Sequence, residues 1–301
     1  MGVTGPPVRD FHIIVLKNDN KFYSEIIHPL YNATFKKREE EVIDSIAKYF
    51  ENKTFQLDVP GDTVFKYSAA TCTLRAVKTH KRIVTFEYNR TQYKCETSDV
   101  SFVVDYKYQQ SSSSEPQLVS RTMSFVQLKM SEKYGCWRLA KNQLYFMRYW
   151  PPFNYGGMLF NIKEFRDHPD LGSFYAFIYR NIDKIYHSPL SRLQSRFATP
   201  VSDLEVVLGH VFLPSTSNRD YESIPDTSLC SVTKIYLETF MWKILLQNLG
   251  LFSKDAEAFV GELYPGLLDP DPLPEKPEKD EEIAEESSVG VRIIITAVGG
   301  E

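Results

Sequence analysis

The strongest constraint on this chain is a period-two alternation within residues 63–141. It is clearest in Val100, Phe102, Val104, Tyr106 and Tyr108, which are interleaved with Ser101, Val103, Asp105, Lys107 and Gln109. Successive strand side chains point to opposite faces, so this pattern describes a sheet with one buried and one wet face. Segments 63–78, 82–97, 121–130 and 134–141 carry the same signature, and the polar turn at 79–81 reads as joining the first two into a hairpin. Strands exposed on one side are typical of antiparallel sheets. Cys72, Cys95 and Cys136 fall inside these runs and read as small buried hydrophobes; with Cys230 they lack the C-x-x-C spacing of a zinc site.

Ahead of the strands the period changes. Residues 8–18 read as a short strand over 12–16. Phe22, Tyr23, Ile26, Ile27, Leu30 and Tyr31 then form a helical stripe, with a kink expected at Pro29. Val42, Ile46, Tyr49 and Phe50 mark a second helix. Helices first, then long strands ending in "YGCWRLAKNQLYF" with the pair Trp137-Arg138, resemble the cone-shaped fold of nuclear transport factor two and its relatives. The resemblance spans about residues 10–147, roughly half the chain. It implies helices packed on a curved antiparallel sheet, and a cavity that some relatives use for binding or catalysis. The residues it would place there are Asp105, Tyr106, Tyr88 and His28, with Asp105 on the solvated face by alternation.

"WPPFNYGG" at 150–157 interrupts regular structure. Beyond it, Leu171, Phe174, Tyr175, Ile178, Ile182 and Ile185 match a helical stripe. Ser202 with Glu205 has capping-box spacing, and 229–249 reads as a long helix apolar around most of its circumference. From residue 269 the segment "DPDPLPEKPEKDEEIAEE" holds too little apolar surface to fold alone. "VGVRIIITAVGGE" after it is strongly strand-forming, and an exposed strand of this kind seeks a sheet edge in its own chain or in a partner. The expected class is therefore α+β. Residues 1–149 would form a cone-like domain, 150–157 a linker, 158–268 a small, mostly helical domain, 269–288 a disordered acidic linker and 289–301 an apolar strand.

A hydrophobic fraction of 43% in 301 residues supports a large core. The net charge of −4 conceals an asymmetry. Residues 1–150 hold 22 Lys+Arg and 16 Asp+Glu, a net of +6, whereas 269–286 hold nine acids and two lysines, a net of −7. A surplus of six over 150 residues is far from a nucleic-acid footprint. No apolar run approaches the ~20 residues that span a bilayer, and the start has no cleavable leader pattern, so a cytoplasmic or nuclear protein is expected. The six histidines show no metal-ligand spacing, and no phosphate loop or nucleophile elbow is present. No cofactor, metal or catalytic residue is therefore assigned.

The function expected on these grounds is a non-catalytic protein-interaction module, an adaptor or complex subunit. Its contacts would be made by Phe240, Trp242, Ile293, Ile294 and Ile295, with self-association through the sheet face as a further option. Two alternatives stand beside it. One is RNA association through the basic, aromatic stretch "VKTHKRIVTFEYNRTQYK", with Lys78, Lys81, Arg82, Arg90 and Lys94 toward phosphate and Tyr88 or Tyr93 stacking on bases. The other is a ligand binder or enzyme using the cone cavity.

Overall fold

The computed structural model describes residues 5–36, 38–80, 83–131, 136–179, 196–208, 213–215, 221–225, 231–269 and 287–300. The chain opens with α1 (Val8–Lys17), α2 (Asp19–Phe22), a π-helical turn (Tyr23–Ile27), α3 (His28–Ala33) and α4 (Glu39–Phe50). Residues 8–18 are thus helical where a strand was expected. Phe11, Ile14 and Val15 occupy positions i, i+3 and i+4 and are fully buried, and that stripe outweighs the β-branched composition of the run.

Six strands follow: β1 (Lys53–Leu57), β2 (Tyr67–His80), β3 (Ile83–Tyr88), β4 (Thr91–Glu96), β5 (Val100–Gln109) and β6 (Gln117–Ser131). After them come β7 (Cys136–Ala140), α5 (Lys141–Tyr149), β8 (Phe153–Tyr155), β9 (Met158–Phe160), α6 (Lys163–Asp167), α7 (Pro169–Gly172), β10 (Ser173–Tyr179) and β11 (Arg196–Pro200). The described elements end with α8 (Val201–Leu208), β12 (Tyr221–Pro225), β13 (Ile235–Tyr236), α9 (Leu237–Leu245), α10 (Lys254–Leu263) and β14 (Ser287–Gly299).

The main sheet runs β1-β2-β14-β5-β6-β10-β11-β13, and β4-β3-β8-β9 form a second sheet. The architecture is mixed α+β, but the large sheet is not antiparallel throughout. The C-terminal strand β14 lies between β2, to which it is antiparallel, and β5, to which it is parallel. Strand β10 is parallel to β6. Nor do β2 and β3 form the hairpin expected across 79–81. β2 pairs with β1 and β14, while β3 pairs with β4 and β8. A local turn signal cannot compete with thirteen residues of apolar strand arriving from the far end of the chain.

Of the helical stripe read over 171–185, Leu171 falls in the short helix α7, Phe174, Tyr175 and Ile178 lie in strand β10, and Ile182 and Ile185 lie outside the described residues. Phe174 and Ile178 face one core, Tyr175 and Phe177 the other. A strand buried on both faces is apolar throughout, so it lacks alternation and a helical template fits it as well as any. The segment 150–157 read as a linker contains β8 and the Gly156-Gly157 turn of the β8–β9 hairpin, with both glycines at positive φ (57° and 85°). In the 229–249 run, the described residues give the two-residue strand β13 and a nine-residue α9.

Both faces of the main sheet are covered. On one, Ile14, Val42, Ile46, Phe240 and Ile244 pack on Leu74, Phe102, Val104, Ile293 and Ile295. On the other, Val103, Phe125 and Tyr175 pack with Phe146, Trp150, Phe165 and Phe259. The close approach of α10 depends on Gly290, where a Cβ would stand 2.7 Å from the Tyr264 ring and 2.6 Å from Leu267.

Candidate interaction surface

The wet sheet face implied by the alternation is not solvated, and Asp105 shows why. It lies fully buried on β5, under the chain at 267–269. Arg121 Nε and Nη2 donate to its two carboxylate oxygens at 2.6 and 2.7 Å. Arg292 of β14 donates to Oδ2 from Nη2 and Nε at 2.6 and 2.8 Å. Arg121 also pairs with Glu257 of α10, while Arg292 Nη1 donates to the carbonyls of Leu267 and Asp269 at 3.0 Å each. Burial by itself would raise the Asp105 carboxyl; the hydrogen bonds from Arg121 and the charge of Arg292 outweigh it and hold the group below the ordinary carboxylate value. Every charge in this cluster is paired, as a buried ionic group requires.

The four residues nominated for a cone cavity do not converge. Tyr106, next to Asp105, faces the opposite core, stacks on Phe11 and donates to the Leu245 carbonyl at 2.6 Å. His28 is exposed on α3, and Tyr88 belongs to the second sheet. A small apolar cavity of about 50 Å³ does lie between the helices and the main sheet, lined by residues including Leu30, Ile46, Phe102, Leu128 and Phe240. That is about the room of one or two waters, against the ~300–1,000 Å³ typical of ligand sites.

The residues expected to meet a partner also have internal roles. Phe240 is 3% exposed and meets Phe102 and Phe174 edge-on, with ring centroids 6.4 and 5.1 Å away. Trp242 is partly buried, with its ring 6.4 Å from Phe22. Ile293, Ile294 and Ile295 are 0%, 5% and 0% exposed in the middle of β14. Their hydrophobicity is satisfied within the chain, so none of these isoleucines is available as a surface contact.

The residues of the basic stretch fare differently. Lys81 and Arg82 lie outside the described residues. Lys78 points toward α4 and pairs with Asp44 at 2.6 Å. Tyr88, Arg90, Tyr93 and Lys94 come together on the β3–β4 hairpin, where Phe86 stands opposite Tyr93 and Tyr88 opposite Thr91. Alternation sends Val84, Phe86 and Tyr88 to the inner face with Tyr93 and Cys95. Val84 and Phe86 reach the core, and the rings nearer the hairpin tip emerge half-buried.

Helix α5 completes the surface. Its Leu144, Phe146 and Met147 are buried, which leaves Tyr145 and Tyr149 at the rim. Asn142 Nδ2 and Gln143 Nε2 donate to the Lys94 and Glu96 carbonyls at 3.2 and 3.4 Å, fixing the helix start against β4. The rings form one chain of contacts. Phe86 stacks on Tyr93 at 5.7 Å and on Tyr145 at 5.5 Å; Tyr145 meets Tyr88 at 5.3 Å and Tyr149 at 4.9 Å. Arg148 lies 5.2 Å from the Tyr149 ring. Burial, then the neighbouring Tyr88 and Tyr93 hydroxyls, raise the Tyr145 phenol.

At the tip, Asn89 and Arg90 both adopt positive φ, 48° and 62°. This is the two-residue turn that matches strand twist and that favours Asn followed by Gly. Arginine there carries a steric cost of about 1 kcal/mol that glycine would avoid. Arg90 and Lys94 are exposed and have no ion-pair partner among the described residues. The sequence identified two of the four tyrosines; Tyr145 and Tyr149 were missed because only the fold brings α5 beside the hairpin.

Among the described residues no cluster of His, Cys, Asp or Glu could hold a metal, and no helix is long and apolar enough to cross a membrane. No protein-family model, no curated protein and no solved structure matches the chain.

Proposed function

We propose that this chain is a non-catalytic protein-interaction module whose contact surface is the tyrosine edge of β3, β4 and α5. The observation that carries the reading is the set of four half-buried tyrosines in ring contact beside an uncommitted, conformationally strained Arg90. Tyrosine and arginine dominate the energetic centres of protein interfaces, because they present large, rigid contact area with a polar tip. Backbone strain kept at an exposed tip is better explained by what the side chain does than by stability.

RNA association is the second reading, favoured by the uncommitted Arg90 at the tip next to stackable rings, although Lys94, opposite Thr85, lies on the other face of the hairpin. Glu87 and Glu96 on the same two strands offset those cations, so among the described residues the hairpin presents no cationic track of the kind that phosphodiester binding uses. Kinship with nuclear transport factor two-like proteins, and a cytoplasmic or nuclear setting, belong to the same proposal. Any such kinship has to accommodate a C-terminal strand in the centre of the sheet.

The test is site-specific photo-crosslinking in native extract. A photoreactive phenylalanine analogue is placed at Tyr88, with a control at exposed Leu16 on α1. One protein adduct formed at position 88 only, resistant to ribonuclease and lost with Arg90→Glu, supports the proposal. A ribonuclease-sensitive product transfers it to RNA, and equal labelling at both positions overturns it.

A further inference from the structure

Independently of the tyrosine edge, we infer that the groove between α3 and α4 is a binding site for a small organic phosphate. Pro29 begins the explanation. Its ring nitrogen has no hydrogen to donate to the carbonyl four residues back, and the ladder responds with the π-helical turn Tyr23–Ile27, in which the His28 amide reaches the Tyr23 carbonyl. Such turns are frequent at functional sites. The short α3 that follows leaves Pro29, Asn32 and Ala33 facing Ser45, Lys48 and Tyr49 of α4 across an open groove of about 450 Å³. That volume lies within the range of small-molecule sites, ~300–1,000 Å³.

The charges around the groove are selective. Several basic side chains on and beside α4 are committed: Lys53 to Glu25, Lys78 to Asp44 at 2.6 Å and Arg38 to Glu41 at 3.1 Å. Lys36 and Lys48, which line the groove, have no ion-pair partner among the described residues, and no carboxylate lines it. Two ammonium groups lining one groove, Lys36 from the α3–α4 connection and Lys48 from α4, match the two negative charges that a phosphate monoester approaches near neutral pH. Asn32 keeps a second amide hydrogen beyond its 3.4 Å contact with His28, while the Ser45 hydroxyl donates to the Glu41 carbonyl at 2.8 Å and only shapes the wall. Tyr49 with Pro29 offers a surface for an aromatic or heterocyclic body. A carboxylate would use the same groups with half the charge.

The experiment is calorimetric titration of the full chain at low ionic strength with phenyl phosphate, inorganic phosphate and benzoate. Saturable binding of phenyl phosphate, stronger than either fragment, is expected. It should weaken about tenfold in Lys36→Glu and again in Lys48→Glu, both at exposed positions. Ser45→Phe fills the groove while keeping both lysines, and it should abolish binding with the melting temperature retained. Absence of saturable binding up to about 10 mM, or unchanged binding in folded Ser45→Phe, overturns the assignment; the second result would mean simple attraction to surface charge. Benzoate binding as tightly as phenyl phosphate would overturn the phosphate preference. Tyrosine-edge binding is read separately by the crosslink, so either proposal can fail alone.

Discussion

Strands β14 and β4 show opposite solutions for a strand that carries arginine and aromatic neighbours. β14 is hydrogen-bonded to β2 and β5 along most of its length. Its Arg292 is 1% exposed and fully committed to Asp105 and two backbone carbonyls. Among the described residues β4 pairs only with β3, and it carries the Asn142 and Gln143 side chains at its other edge. The arginine of its hairpin, Arg90, faces solvent at an unfavourable φ. An arginine in the centre of a sheet is held by the fold's own carboxylates and carbonyls. One at the hairpin tip contributes nothing to the core and is available for recognition.

The contrast breaks most visibly at Arg292. Replacing it with Met leaves Asp105 with one guanidinium and the Leu267 carbonyl without its Arg292 donor, while the Asp269 carbonyl keeps its bond from Arg75 at 2.6 Å. The change should cost about 3–5 kcal/mol in chemical denaturation. Combining it with Asp105→Leu and Arg121→Met should recover much of that loss, since an apolar replacement of a whole buried ionic group is often neutral. Ile293→Ala, a cavity in the same strand, should cost about 2–5 kcal/mol by the same measurement.

Acid titration sharpens the comparison further. The Asp105 pKa is depressed below its unfolded value of 3.8. Its contribution is therefore fully present above that value and is lost as pH falls through the lower folded pKa. Asp105→Asn should remove this component from the acid limb of the stability profile. His12 acts at milder pH. Burial lowers its pKa from 6.5 against the opposing hydrogen bond to Leu246, so the folded state takes up its proton later than the unfolded chain. Stability should start to fall as pH drops below 6.5, and His12→Gln should flatten that step.

The smallest stability effects belong to the hairpin. Tyr93→Ala and Tyr145→Ala should each cost about 1 kcal/mol or less, because the rings are only half-buried, yet abolish the crosslink from position 88. Arg90→Gly should gain about 1 kcal/mol by relieving the left-handed arginine while weakening partner binding. A variant that is more stable and binds less would separate the two roles directly; a loss of stability would remove the strain argument.

Local pattern revealed the elements whose neighbours are close in sequence. β5 ran from Val100 to Gln109 as its alternation required, α4 followed the stripe Val42, Ile46 and Phe50, and Pro29 disrupted its helix. Tyr88, Arg90, Tyr93 and Lys94 were grouped because they are close in sequence, but the run 82–97 read as one strand segment folds back at Asn89-Arg90 into the β3–β4 hairpin. Asp105 was misread as solvated because its cover, Leu267 to Asp269, and its partner Arg292 lie more than 160 residues away. β10 was misread because burial on both faces erases the alternation that marks a strand.

The sequence by itself therefore determined the α+β class, the approximate positions of β2, β5 and β6 and the strand nature of the C-terminus, all of which depend on short-range periodicity and propensity. Only the tertiary structure decided that the last strand enters the centre of the sheet, that Arg292 is structural and Arg90 free, and that α5 supplies half of the tyrosine edge. Those outcomes depend on which surfaces find each other across the chain. Burial and pairing between distant segments, rather than any local preference, set the free energy of that choice.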